Sequence, residues 1–231
     1  MFKDNILKIK ERISSVCSRI NQNPEAIVIV AVSKTRTLQE IKEVIEAGIT
    51  DIGENKIQEA LIKYNELRAT SYELRAIKWH MVGHLQTNKV KEAVRIFDLI
   101  QSVDSLRLAV EIDKQAAKIN KIQDILIEIK TSGEATKFGL NPEEAIEILR
   151  EITKFKNINI KGLMTIAPLV DNPEKTRLYF RMFKGLRDRI DSLQFAACSL
   201  QLLSMGMTDD FEVAIEEGSN MVRLGRAIFE G

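Results

Sequence analysis

The sequence has few of the residues that would staple a fold or bind a metal. Its only cysteines, Cys17 and Cys198, are far apart and lack CxxC spacing. A disulfide framework and a thiolate zinc site are therefore excluded, and a reducing, cytoplasmic setting is expected. Two histidines, His80 and His84, are too few among these neighbours for a metal centre. Neither sign of charge is in excess: 34 Lys and Arg stand against 33 Asp and Glu. A nucleic-acid-binding surface normally announces itself by a basic surplus, so none is expected. The longest unbroken apolar run, Ala26 to Val32, is far too short to cross a bilayer. The opening MFKDNILKIKERI mixes acids and bases within an apolar pattern, unlike a signal or transit peptide. No Pro/Gly/Ser-rich linker and no low-complexity tract divides the 231 residues. With 45% hydrophobic and 29% charged residues, the composition is that of an ordinary globular protein.

What is present is a repeat of strand and helix patterns. Ile6, Ile9, Ile13, Val16 and Ile20, spaced by three and four, predict an amphipathic helix over residues 5–20. IVIVAVSK follows, a β-branched run suited to a strand covered on both faces. Seven further strands are expected at 50–53, 78–83, 97–103, 124–131, 159–166, 199–204 and 221–224. Helical patterns over 37–47, 56–68, 87–96, 105–119, a segment opening at Pro142, 173–190 and 209–217 separate them. Regular βα alternation implies right-handed crossovers and a parallel sheet. Eight units predict a single (β/α)8 barrel over residues 1–231 with an extra N-terminal helix. An open doubly wound sheet would be expected to break the repeat or show GxGxxG after its first strand, and neither occurs.

A barrel carries its chemistry at the C-terminal ends of its strands. The first strand ends at Ser33-Lys34, and Lys34 continues the alternate set Val28, Val30 and Val32. A lysine amine partly withdrawn from water can attack a carbonyl and form a Schiff base, although a strand-end lysine can also simply snorkel to solvent. After strands seven and eight come SMGMTDD, with Thr208 as expected cap, and RLGR. Loops at these two places habitually hold phosphate, because glycine admits close approach and free N–H groups face the anion. Together, the lysine and the two loops point to a phosphorylated carbonyl ligand. His80 reads as a core histidine, His84 is better placed at a strand end, and Met164, Met205 and Met207 either pack the core or flank a planar ring.

The motifs AVSKT (31–35), DIGENKIQE (51–59), WHMVGHLQTNK (79–89), GEATKFG (133–139), GLMTIAP (162–168), LSMGMTDDFEVAI (203–215) and VRLGRAIF (222–229) resemble, in order, the pyridoxal phosphate homeostasis proteins. That family is related to the N-terminal barrel of alanine racemase. The resemblance implies that Lys34 holds pyridoxal 5′-phosphate (PLP) as a Schiff base. It also implies that Ser204, Gly225 and adjoining backbone hold the phosphate, with Gly206 among the cofactor-binding residues. Arg223 would face the pyridine nitrogen, and Asn55, His80 and Met205 would line the pocket. Thr208 stands where serine is common, Asn220 and Arg226 where threonine is, and Lys130 where the fifth strand often carries asparagine.

Six residues follow Gly225, so the second domain that supplies a catalytic tyrosine in related racemases is not expected. Tyr64, Tyr72 and Tyr179 fall away from the strand ends. A cofactor carrier is therefore expected: a monomer that stores PLP and releases it to apo-enzymes, and meets amino acids through its Schiff base. A weak PLP-dependent racemase is the alternative within the resemblance. A cofactor-free Schiff-base lyase or isomerase of sugar phosphates is the alternative outside it.

Overall fold

The computed structural model describes residues 1–70, 76–132, 138–193 and 198–231. Eight parallel strands close a barrel in sequential order. They are β1 (Val28–Val32), β2 (Asp51–Glu54), β3 (Lys78–Met81), β4 (Leu99–Val103), β5 (Gln123–Glu128), β6 (Ile158–Met164), β7 (Cys198–Ser204) and β8 (Met221–Leu224). β1 closes on β8 through pairs including Ala31 with Leu224. The expected barrel and its extra N-terminal helix, α1 (Phe2–Arg19), are both present.

Strand parity divides the apolar residues into two layers. Val28, Val30 and Val32 cluster with Val82, Leu99, Leu126, Met164 and Met221 inside the barrel. Ile29 and Ala31 join the larger core between strands and helices. That outer core is covered by α2 (Leu38–Glu46), α3 (Ile57–Thr70), α4 (Val90–Ile96), α5 (Leu106–Ala117), α6 (Pro142–Ile152), α7 (Arg177–Ser192), α8 (Phe211–Glu216) and α9 (Arg226–Phe229). Local signals set several starts. Thr37 and Glu40 form a reciprocal capping box on α2, Ser105 caps α5, and Pro142 opens α6.

The expected boundaries shift where hydrogen bonding differs from hydrophobic pattern. Residues 87–89 and 173–176 are 3-10 turns leading into α4 and α7 rather than α-helix. Residues 209–210 lie in a turn before α8. The helix expected to begin after β8 is only the four-residue α9, and the short 3-10 turn at Pro24–Ala26 was not anticipated, being too brief to show a period. α1 buries Ile6, Ile9, Ile13, Val16 and Cys17 and lies against α8 and α9. Asn5 Nδ2 donates to Ile228 O at 3.0 Å, and Phe2 meets Phe229 edge-on. The N-terminal helix thereby braces the segment that follows β8. No helix among the described residues is long and apolar enough to cross a membrane.

Candidate functional site at the barrel mouth

Lys34 follows β1 with inward parity but lies two residues beyond the last paired rung. It is exposed, and its amine has no partner among the described residues. The turn beneath it is held firmly. Ser33 Oγ donates to Glu54 Oε1 at 2.5 Å, while Lys63 Nζ donates to that oxygen at 2.6 Å and to Ser33 O at 2.7 Å. Glu54 is fully buried and its second oxygen has no partner among the described residues. Thr35, at φ +64°, takes the left-handed conformation that swings the chain away. A free amine thus stands on a rigid base.

Because β1 neighbours β8, Lys34 stands beside the loop that begins at Gly225. That loop is tied to the one after β7: Ala227 N–H donates to Thr208 Oγ1 at 3.2 Å, and Arg226 pairs with Asp209. Thr208 therefore does not cap α8, whose N-cap is Asp210. Asp210 Oδ1 instead accepts from Met207 N–H at 2.6 Å, and burial pushes its carboxyl above the usual range despite that bond and the charge of Arg223. The N–H groups of Gly206, Thr208, Gly225 and Arg226 make no hydrogen bond among the described residues.

The two glycines differ in kind. Gly206 has φ +93°, and a Cβ there would lie 2.6 Å from that of Ala214, so the fold itself demands glycine. Gly225 has φ −110°, and its nearest obstacle would be Val32 O at 3.5 Å. No contact among the described residues excludes a Cβ at 225, on the stretch of chain that passes Val32 of β1.

Beneath the mouth lies Arg223, only 4% exposed. It donates to Ser204 Oγ at 2.6 Å and Thr165 O at 2.7 Å. Burial lowers it to about 10, partly opposed by the nearby charges of Glu128 and Asp210, so it remains a cation at neutral pH. Glu128 is itself pushed up to about 7, chiefly by burial and then by Asp104, with Arg223 opposing.

Several sequence expectations change here. Ser204 is fully buried, and its hydroxyl, expected on a phosphate, donates to Gln101 Oε1 while accepting from Arg223. Met205 has the opposite strand parity and packs in the outer core, so its side chain does not line the mouth. Met164 is inside the barrel and Met207 is exposed, so the three methionines form no cluster. His80 lies within the barrel between Asp51 and Gln101 rather than at the rim. Asn55 does reach the rim, where its backbone fills the space above Gly83. Thr165, Gln101 and Glu128 were overlooked. Their signal was polarity within otherwise apolar strand segments.

Across the mouth, a cleft of about 700 Å³ is lined by His84, Asp104, Arg107, Lys130 and Phe138 among others. His84 Nδ1 lies 3.0 Å from Asp104 and stacks on Phe138 at 3.7 Å. Residues 133–137 of the GEATKFG motif, including Lys137, and Tyr72 lie outside the described residues. No group of three metal-ligating side chains occurs among the described residues.

The family model for the alanine racemase N-terminal domain matches residues 5–231. A pyridoxal phosphate homeostasis protein of Aquifex aeolicus is 41% identical over 98% of this chain and 96% of its own length. PipY of Synechococcus elongatus, solved with PLP bound, superposes with a TM-score of 0.83 at 33% identity, covering 96% of this chain and 99% of that one. Alanine racemase of Clostridium difficile, at 18% identity and TM-score 0.73, shares the fold, with this chain covering 56% of it. A barrel matched over nearly its whole length by such relatives belongs to the alanine racemase N-terminal domain family, and within it to the pyridoxal phosphate homeostasis proteins.

Proposed function

We propose that residues 1–231 act as one PLP-binding unit that holds the cofactor on Lys34 as a Schiff base and hands it to apo-enzymes in the cytoplasm. The observation that carries this reading is a lysine amine without a partner among the described residues, beside a loop with N–H groups unbonded among them and a glycine with room for a Cβ. These residues suit the group chemically. When bound, PLP supplies an aldehyde that condenses with a primary amine. Gly206, Thr208, Gly225 and Arg226 supply N–H donors for its phosphate, and the Thr208–Ala227 bond keeps the two loops together.

Arg223 brings a permanent cation to the pyridine side of the site. A cation beside a pyridine nitrogen disfavours its protonation and makes the ring a poorer electron sink. Tyr64 supports the same reading: it lies on α3 against Trp79, away from the mouth. Tyr179 lies on α7. Binding and exchange of amines, rather than turnover of amino acids, is what these residues favour. Asn55 lines the rim, and the chain acts as a monomer.

The test is mass spectrometry of the borohydride-reduced protein. One PLP-sized adduct on Lys34, absent in Lys34→Ala of unchanged fold, is expected. An adduct chiefly on Lys89 or Lys137 would overturn the assignment. Lys34→Ala should keep the fold, because Lys34 is exposed and its amine has no partner among the described residues.

A further inference from the structure

Five side chains from five strands meet inside the barrel, each at most 9% exposed: Asp51, His80, Gln101, Ser204 and Arg223. Four hydrogen bonds join them in series. Arg223 Nη1 donates to Ser204 Oγ at 2.6 Å, and Ser204 Oγ to Gln101 Oε1 at 2.7 Å. Gln101 Nε2 lies 3.0 Å from His80 Nδ1, and His80 Nε2 lies 2.9 Å from Asp51 Oδ1. The amide orientation is set twice, since Oε1 takes the Ser204 proton and Nε2 also donates to Met221 Sδ at 3.3 Å. With Gln101 donating, His80 Nδ1 must accept, so Nε2 carries the hydrogen given to Asp51. Every bond then runs in one direction, from a guanidinium near the mouth to a carboxylate at the start of β2. Thr50 Oγ1 donates to the other oxygen of Asp51 at 2.7 Å. Burial alone would raise the Asp51 carboxyl, but His80, Thr50 and Lys78 outweigh it and hold it low.

We infer that Asp51, His80, Gln101 and Ser204 are positioning residues that act as a single unit on Arg223, and through it on the ring of the ligand at the mouth. Bonds aligned head to tail polarise one another, and a change at one end alters the donor strength and orientation at the other. Asp51, far from Lys34 and touching no ligand, therefore tunes ligand binding. Ser204 acts through Arg223 and not through phosphate. This inference rests on the PLP reading for its ligand but not for its geometry.

The experiment uses the full chain, with Ser204→Ala and Asp51→Asn singly and together. Dissociation constants are measured for PLP and for pyridoxal, which lacks the phosphate. Losing a charge-assisted acceptor on Arg223 should weaken both ligands by the same factor, about tenfold for Ser204→Ala. Asp51→Asn, which keeps the shape, should weaken both in the same way and shift the absorption maximum of bound ligand. The double variant should be no weaker than the weaker single one, because a broken series cannot be broken twice. With only two histidines in the chain, the imidazole nitrogens of the ligand-free protein are readily assigned by nitrogen NMR. His80 should carry hydrogen on Nε2 alone, and Ser204→Ala should move its nitrogen shifts. A loss confined to PLP, multiplying effects in the double variant, or hydrogen on Nδ1 of His80 would each overturn the inference. If the wild type binds neither ligand, the PLP reading fails while the NMR result still decides the chain of bonds.

Discussion

Burial without full pairing gives single residues a measurable influence. Glu128 has a folded-state value of about 7 against an ordinary 4.5, so between those values the folded chain holds a proton that the unfolded chain has lost. Stability therefore falls as pH rises through this window, and the cost is complete above about pH 7. It amounts to on the order of 3 kcal/mol. Chemical denaturation of ligand-free protein should show Glu128→Gln flattening the decline between pH 5 and 8 and gaining most over wild type at the alkaline end. An unchanged slope would show that Glu128 does not carry the effect.

The pair under Lys34 behaves differently. Glu54 and Lys63 have side chains 0% and 10% exposed and meet at 2.6 Å. Lys63→Met leaves a buried carboxylate with only Ser33 as donor, which should cost about 3–5 kcal/mol. Replacing both, as Glu54→Leu with Lys63→Met, should restore much of that stability, because no buried charge is then left unpaired, although Ser33 loses two partners. Denaturant midpoints of the single and double variants check this. Failure of the double variant to recover would mean that the pair does more than neutralise itself.

At the scale of elements, the two loops facing Lys34 have separable duties. Gly206→Ala meets both a left-handed backbone and the Cβ of Ala214, so it should destabilise the fold by about 2 kcal/mol or more. Gly225→Ala meets neither and should leave stability within about 0.5 kcal/mol. Its effect should fall on PLP, whose phosphate would meet the new methyl. Thermal melts with a PLP titration separate the two variants. Equal PLP affinity in Gly225→Ala and wild type would remove Gly225 from the phosphate site. The element-scale reading from sequence was good wherever a period ran for several turns, as in α1. For α8 it found the helix but not its cap, because Thr208 bonds across to Ala227 in the neighbouring loop rather than along its own chain.

For the whole molecule, the central question is whether the mouth performs chemistry or only holds its ligand. Arg223 is charged at neutral pH, Tyr64 packs on Trp79, and Tyr179 sits on α7 outside the strands. Cα–H exchange of amino acids in deuterated solvent should therefore be undetectable on the scale of ordinary enzymes, roughly 1 s⁻¹. Transfer of PLP to an apo-enzyme should still proceed, since displacement of Lys34 by another amine needs neither feature. Steady-state racemisation near that rate would replace the carrier reading with an enzymatic one.

Strand and helix periods, the eightfold repeat and the position of Lys34 at a strand end are local properties, written in parity and spacing along the chain. They were legible without coordinates because each depends on residues within one element. What only closure of the barrel decided is which polar residues meet. Gln101 on β4 and Ser204 on β7 are 103 positions apart and not on adjacent strands, yet their side chains bond at 2.7 Å across the interior. The same closure turned Ser204 away from solvent and Met205 toward the helices, because inward and outward faces exist only once the sheet has curled on itself. Periodicity names a face. The partner that face meets is a matter of three-dimensional distance, which no spacing along the sequence encodes.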